Sequence, residues 1–150
     1  MLKNQKDSGL KFLSLLKRYG LTINNLRNGK FQLYDTEEII YQERWNQLIK
    51  IWIELQNEHT LTELLFPSKK EELILTNLVD LQIELKANLD SYLDRKRRGK
   101  WKGDTSDSQI SKIIFSTNSS DEFGVKIQNE INTLSEPIKN ELSKQFNIKF

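Results

Sequence analysis

From Ser68 to Arg98 the chain carries neither glycine nor proline, and within that span Leu75, Leu78, Leu81, Leu85, Leu89 and Tyr92 recur at spacings of three and four. A stripe of that period is one face of an α-helix. Pro67 breaks any helix arriving from before it. Ser68 and Glu71 then form a capping box, in which the hydroxyl accepts from an orphan N–H and the carboxylate reaches back to the cap. Ile74, Val79 and Ile83 widen the apolar face beyond a narrow coiled-coil seam. The pattern predicts one helix from Lys69 to Arg97, about 40 Å long at 1.5 Å per residue.

Its end is basic. Arg95, Lys96, Arg97, Arg98, Lys100 and Lys102 fall within eight residues, with Trp101 among them and no acidic residue. Gly99 suits the left-handed position just past a helix end. One or two cations there would complement the helix dipole. A run this dense exceeds that need and points to an anionic ligand.

The formal net charge of +2 conceals a pattern. Residues 1–34 sum to +6, 35–94 to −8, 95–102 to +6 and 103–150 to −2. Two basic blocks thus flank an acidic middle, and either converge on an outside polyanion or neutralise the acidic helices. A chain of 150 residues reads as a single helical domain, large enough for a real core. The absence of cysteine excludes disulfides and thiolate metal sites. Met1 to Ser8 is polar, unlike a signal peptide. Apolar runs such as Ile49 to Leu55 carry charges and fall short of a membrane span. The expectation is a cytoplasmic protein with no membrane contact.

Further helices follow in order. Residues 1–7 read as frayed. A short helix capped by Asp7 or Ser8 carries Leu10, Phe12, Leu13 and Leu16 inward and ends at Gly20. Residues 21–34 are ambiguous: Asn28-Gly29 suits a hairpin turn, but a lone hairpin is marginal, so a helical turn from Thr22 to Gly29 is favoured. Asp35 and Glu38 cap a helix at 36–57, with Tyr41, Trp45, Leu48, Trp52 and Leu55 on its stripe and Ile40, Ile51 and Ile53 off it. That helix is either central or contacts a partner with its second face. Thr60 and Glu63 cap another short helix. Residues 103–108 read as a flexible internal linker. Residues 109–150 read as a looser C-terminal helical subdomain: one helix with Ile110, Ile113 and Ile114, another with Phe123, Ile127, Ile131 and Leu134, and a last one opened by Pro137. The fold class is therefore all-α, an irregular bundle of six or seven helices around two long central ones at 36–57 and 69–97.

Catalytic chemistry finds little support. His59 is the only histidine, and Glu54, Glu58 and His59 miss the Glu-x-x-His spacing of a di-iron helix. Lys100 and Thr105 do not fall in phosphate-loop order, and no Gly-x-Ser-x-Gly elbow occurs. No enzyme activity, metal or cofactor is expected. The basic run remains. Arg95, Lys96, Arg97, Arg98, Lys100 and Lys102 can contact phosphates. Trp101 can stack on an unpaired base, or fold back as a hydrophobic cap on the long helix. Lys17, Arg18, Arg27 and Lys30 extend the surface if the first helix lies beside it. Such contacts read the backbone, not the bases.

The function expected is a non-catalytic subunit that grips nucleic acid beside other protein subunits of a larger assembly. The small subunits of CRISPR effector complexes offer an architectural analogy, with no motif behind it. The rival is a protein–protein adaptor, or small inhibitor, that binds its partner through apolar and acidic helix faces.

Overall fold

The computed structural model describes residues 2–29, 36–66, 73–116 and 121–150. Among them are five α-helices, one 3-10 turn and no strand: α1 (Leu2–Leu26), α2 (Glu37–Glu63), α3 (Thr76–Arg97), the 3-10 turn (Thr105–Asp107), α4 (Ser108–Ile114) and α5 (Glu122–Phe146). The all-α expectation holds. The count of six or seven helices does not, because three expected breaks are crossed.

The reason is the same in each case: the apolar stripe continues in phase across the break. In α1, Phe12, Leu16, Tyr19, Ile23 and Leu26 are buried at spacings of four and three, straight through Gly20. Thr22 does not cap a new helix; its hydroxyl donates to the Arg18 carbonyl within the same one (2.7 Å). The expected fraying of residues 1–7 is also corrected, since α1 starts at Leu2. In α2, the series Tyr41, Leu48, Trp52, Leu55 continues to buried Thr62, so the helix runs past Thr60. In α5, Ile131, Leu134, Ile138 and Leu142 stay buried on either side of Pro137. The carbonyl that this proline leaves without its intrahelical partner belongs to Thr133, which is exposed to water.

The long helix α3 begins at Thr76 rather than Lys69. The expected Ser68–Glu71 cap, residues 30–35 with Lys30 and the Asp35 cap, and the loop at 117–120 lie outside the described residues. Thr36 occupies the N-cap of α2 without a side-chain bond.

Nor are the helices at 36–57 and 69–97 the central pair. α1 packs most closely, against α2 on one side and α5 on the other. Both neighbours run antiparallel to it: Ser8 meets Thr62 at one end of α2 and Asn25 meets Arg44 at the other. A Cβ added at Gly9 would lie 3.3 Å from Leu142, and one at Gly20 would lie 2.9 Å from Ile131. Small residues at these points let α5 seat its side chains directly on the α1 backbone. α2 and α3 instead meet through large side chains. Tyr41 and Tyr92 sit edge to face at 5.9 Å, and Lys86 lies over the Trp45 ring at 5.5 Å. The four long helices run up, down, up and down, and α4 lies in the last connection.

Candidate functional site

The C-terminal end of α3 is a built structure. The N–H of Lys100 donates to the Arg95 carbonyl (2.8 Å) and that of Gly99 to the Lys96 carbonyl (3.1 Å). Gly99 has φ 66°. These two bonds and the left-handed glycine make a Schellman cap, which satisfies the last carbonyls of the helix. The chain then turns back. Trp101 stands edge-on to Tyr92 with centroids 4.7 Å apart, and Phe115 and Tyr41 meet the same tyrosine at 5.6 and 5.9 Å. Trp101 thus sits half-buried as a cap on α3, the second of its two expected positions.

Asp107 closes the loop. It is 0% exposed. Its Oδ2 accepts from the N–H groups of Lys102 (2.7 Å) and Gly103 (2.9 Å), and its Oδ1 lies 2.8 Å from Arg95 Nε. Burial raises the Asp107 pKa, but the two N–H donors and Arg95 outweigh it, and the carboxyl is held below its ordinary range. Asp104 caps the 3-10 turn by accepting from the Ser106 N–H (3.0 Å). Residues 103–108, expected as a flexible linker, are therefore where the basic loop is tied to α3.

Tyr92 supports the loop from beneath. Its hydroxyl donates to Glu37 Oε2 (2.6 Å). Burial first, then the neighbouring carboxylate, pushes the phenol far above its usual pKa, so it remains a donor.

The six cations do not share one fate. Arg95 pairs with Asp107, Lys96 with Glu37 at 3.8 Å, and Arg98 with Asp94 at 3.1 Å. The Arg98 pair is exposed, with side chains 65% and 49% accessible, so it leaves the guanidinium available to solvent. Arg97, Lys100 and Lys102 are exposed and have no carboxylate within 4.0 Å among the described residues.

The outlying cations fall elsewhere. Lys17 and Arg18 are exposed on α1, and Arg18 lies 3.7 Å from Glu54. Lys96, in contrast, lies beside Glu37. Those two glutamates are about 25 Å apart along α2, so the two cation groups do not form one patch. Arg27 is a correction. It is 0% exposed, so it lies in the interior and not on a surface. Its guanidinium donates to Asp121 Oδ2 (2.9 Å) and Oδ1 (2.6 Å), and to the carbonyls of Ile113 (2.7 Å), Phe115 (3.0 Å) and Lys112 (3.2 Å). Asp121 in turn accepts from the Gly124 N–H, which caps α5. Burial raises the Asp121 pKa, but Arg27 and the Gly124 N–H outweigh it and hold the carboxyl below its ordinary range.

Among the described residues no group of three or more His, Asp or Glu side chains gathers to hold a metal ion, and no helix is long and apolar enough to cross a membrane. Glu54, Glu58 and His59 diverge. Glu58 takes the Ser8 hydroxyl (2.7 Å) and Lys11 (2.9 Å), while His59 Nε2 donates to the Leu73 carbonyl (2.6 Å). His59 is half-buried within α2 and ties down the segment before α3.

Asp107 and Asp121 are the residues that sequence reasoning missed. Asp121 carried a faint signal, an N-cap residue before a new stripe. Asp107 carried none beyond an acid following the basic run. No family model, curated protein or solved structure matches the chain.

Proposed function

We propose that this chain is a non-catalytic helical subunit that grips a nucleic-acid backbone, beside other proteins, through the loop joining α3 and α4. One observation carries the reading. The loop is pinned by the Schellman cap, by Trp101 on Tyr92 and by Asp107, and it holds Arg97, Arg98, Lys100 and Lys102 outward. Cations on a preorganised backbone lose little entropy when a polyanion arrives. With Trp101 folded onto Tyr92, phosphate contact rather than base stacking supplies the affinity.

The test is fluorescence anisotropy with short single- and double-stranded DNA and RNA across a salt series. Four phosphate contacts on duplex DNA give a slope of about −3.6 for log K against log salt. The combined variant R97Q/R98Q/K100Q/K102Q should flatten that slope while the helical circular dichroism stays unchanged. Absence of binding at low salt, or identical binding by the variant, would sink the reading.

A protein–protein adaptor is the second reading, supported by the outer face of α2. Ile39 and Ile53 are 57% and 50% exposed there, whereas Ile51, expected off the buried stripe, is itself buried at 7% and Ile40 is half-buried. Ile53→Glu should then disrupt a complex without altering polyanion binding.

A further inference from the structure

A different surface lies along the seam of α1 and α5. Leu10, Leu13, Lys17 and Leu21 line one wall at spacings of three and four, Ile131 and Lys139 line the other, and Phe150 joins them in enclosing about 620 Å3. Three of the larger exposed apolar side chains of the molecule meet there: Leu10 at 36%, Leu21 at 56% and Phe150 at 61%. The α1 wall extends to Asn24, a run of about 21 Å or four helical turns. The groove's two charged side chains are both cationic. Lys17 and Lys139 line the groove and no Asp or Glu does. The nearest acid to Lys139 is Glu136, at a loose 3.9 Å and itself 65% exposed.

We propose that this groove receives an acidic amphipathic helix of a partner protein. A two-helix groove whose α1 wall has side chains at three-and-four spacing fits a third helix, whose own apolar stripe fills the space between Leu13, Leu21 and Ile131. Acidic residues flanking that stripe meet Lys17 and Lys139. A second copy of this chain docked groove to groove would bring two cationic linings together, which opposes self-association. The groove is open to water along Leu21 and Phe150, unlike the enclosed pocket that a small apolar ligand occupies. The proposal uses none of the cations from Arg97 to Lys102, so it stands or falls separately from nucleic-acid binding.

The test uses the full chain and two fluorescein-labelled designed helical peptides with the same leucine stripe, one flanked by Glu and one by Lys. The Glu-flanked peptide should bind at least about tenfold more tightly than the Lys-flanked one, a difference of about 1.4 kcal/mol. Leu21→Glu should weaken it by a similar factor, and Lys17→Glu should reduce the preference for acid. Both positions are exposed, so the helical circular dichroism should hold. Equal affinity for the two peptides, or no saturable binding of either, overturns the proposal. A concentration-dependent dimer abolished by Leu21→Glu makes a second copy the occupant and overturns it. Oleate binding that Leu21→Glu abolishes, with neither peptide bound, makes the site one for amphiphiles and overturns it as well.

Discussion

The first helix is followed by Arg27-Asn28-Gly29 and the third closes on Arg97-Arg98-Gly99. In both, the glycine takes a left-handed conformation, with φ 67° at Gly29 and 66° at Gly99. Local chemistry is nearly the same, yet Arg27 is enclosed while Arg97 is exposed. Arg27 meets two structures that arrive from far along the chain: the last carbonyls of α4 and Asp121 at the cap of α5. Its guanidinium sits between a helix C-terminus and the carboxylate that caps the next helix, and it lies 5.0 Å from the Phe123 ring. Arg97 reaches, among the described residues, only the carbonyl of Leu93 in its own helix, at 3.4 Å. A buried arginine with its donors matched holds elements together. An exposed one on a fixed loop is available to a ligand.

The contrast can be broken by substitution. Arg27→Ala removes the guanidinium from Asp121 and from three carbonyls, and should cost about 3–5 kcal/mol in urea unfolding. Arg97→Ala should change stability by less than about 0.5 kcal/mol. Comparable losses at the two sites would erase the distinction.

A smaller effect is expected at Gly124. An added Cβ there would collide with the Asp121 carboxylate and lie 3.1 Å from Arg27 Nη1. Gly124→Ala should destabilise by about 1–3 kcal/mol through overpacking. The usual helix-propensity gain of about 1 kcal/mol should fail to rescue it.

Acid should sharpen the picture. Asp121 and Asp107 both have lowered folded-state pKa values. Each therefore contributes stability that is complete above the unfolded carboxyl pKa of about 3.9 and is lost as pH falls through the lower folded value. Urea midpoints should drop below about pH 4, and Asp121→Asn should show a shallower drop. An unchanged pH profile in that variant would mean that the Arg27 pair does not tune Asp121.

The mildest perturbation is Asp107→Asn. It should leave the bundle folded while the Lys102 and Gly103 amides lose hydrogen-exchange protection, because their shared acceptor is weakened. Retained protection would mean that the Schellman cap and Trp101 suffice to hold the basic loop.

Much of the fold was legible as local pattern. The stripes around Tyr41, Leu78 and Ile131 identified helices because side chains three and four apart lie on one face whatever surrounds them. Gly99 was legible as a helix stop, since a left-handed residue is a local demand. The helix boundaries read at Gly20, Thr60 and Pro137 were misleading. Each is a residue that can end or open a helix, but a helix continues where the stripe on both sides stays in phase and buries against the same neighbours. Gly20 serves instead as the point where Ile131 approaches α1.

By itself, then, the sequence determined that the chain is helical, where its apolar faces lie and that positive charge gathers after Arg95, because backbone hydrogen bonds, side-chain periodicity and composition are properties of neighbours in the chain. Only the tertiary structure decided that α1 is the central helix, that Arg27 is interior and that Asp107 ties the basic loop. Those outcomes depend on desolvation and on matched hydrogen bonds, whose partners reach Arg27 from roughly ninety residues away.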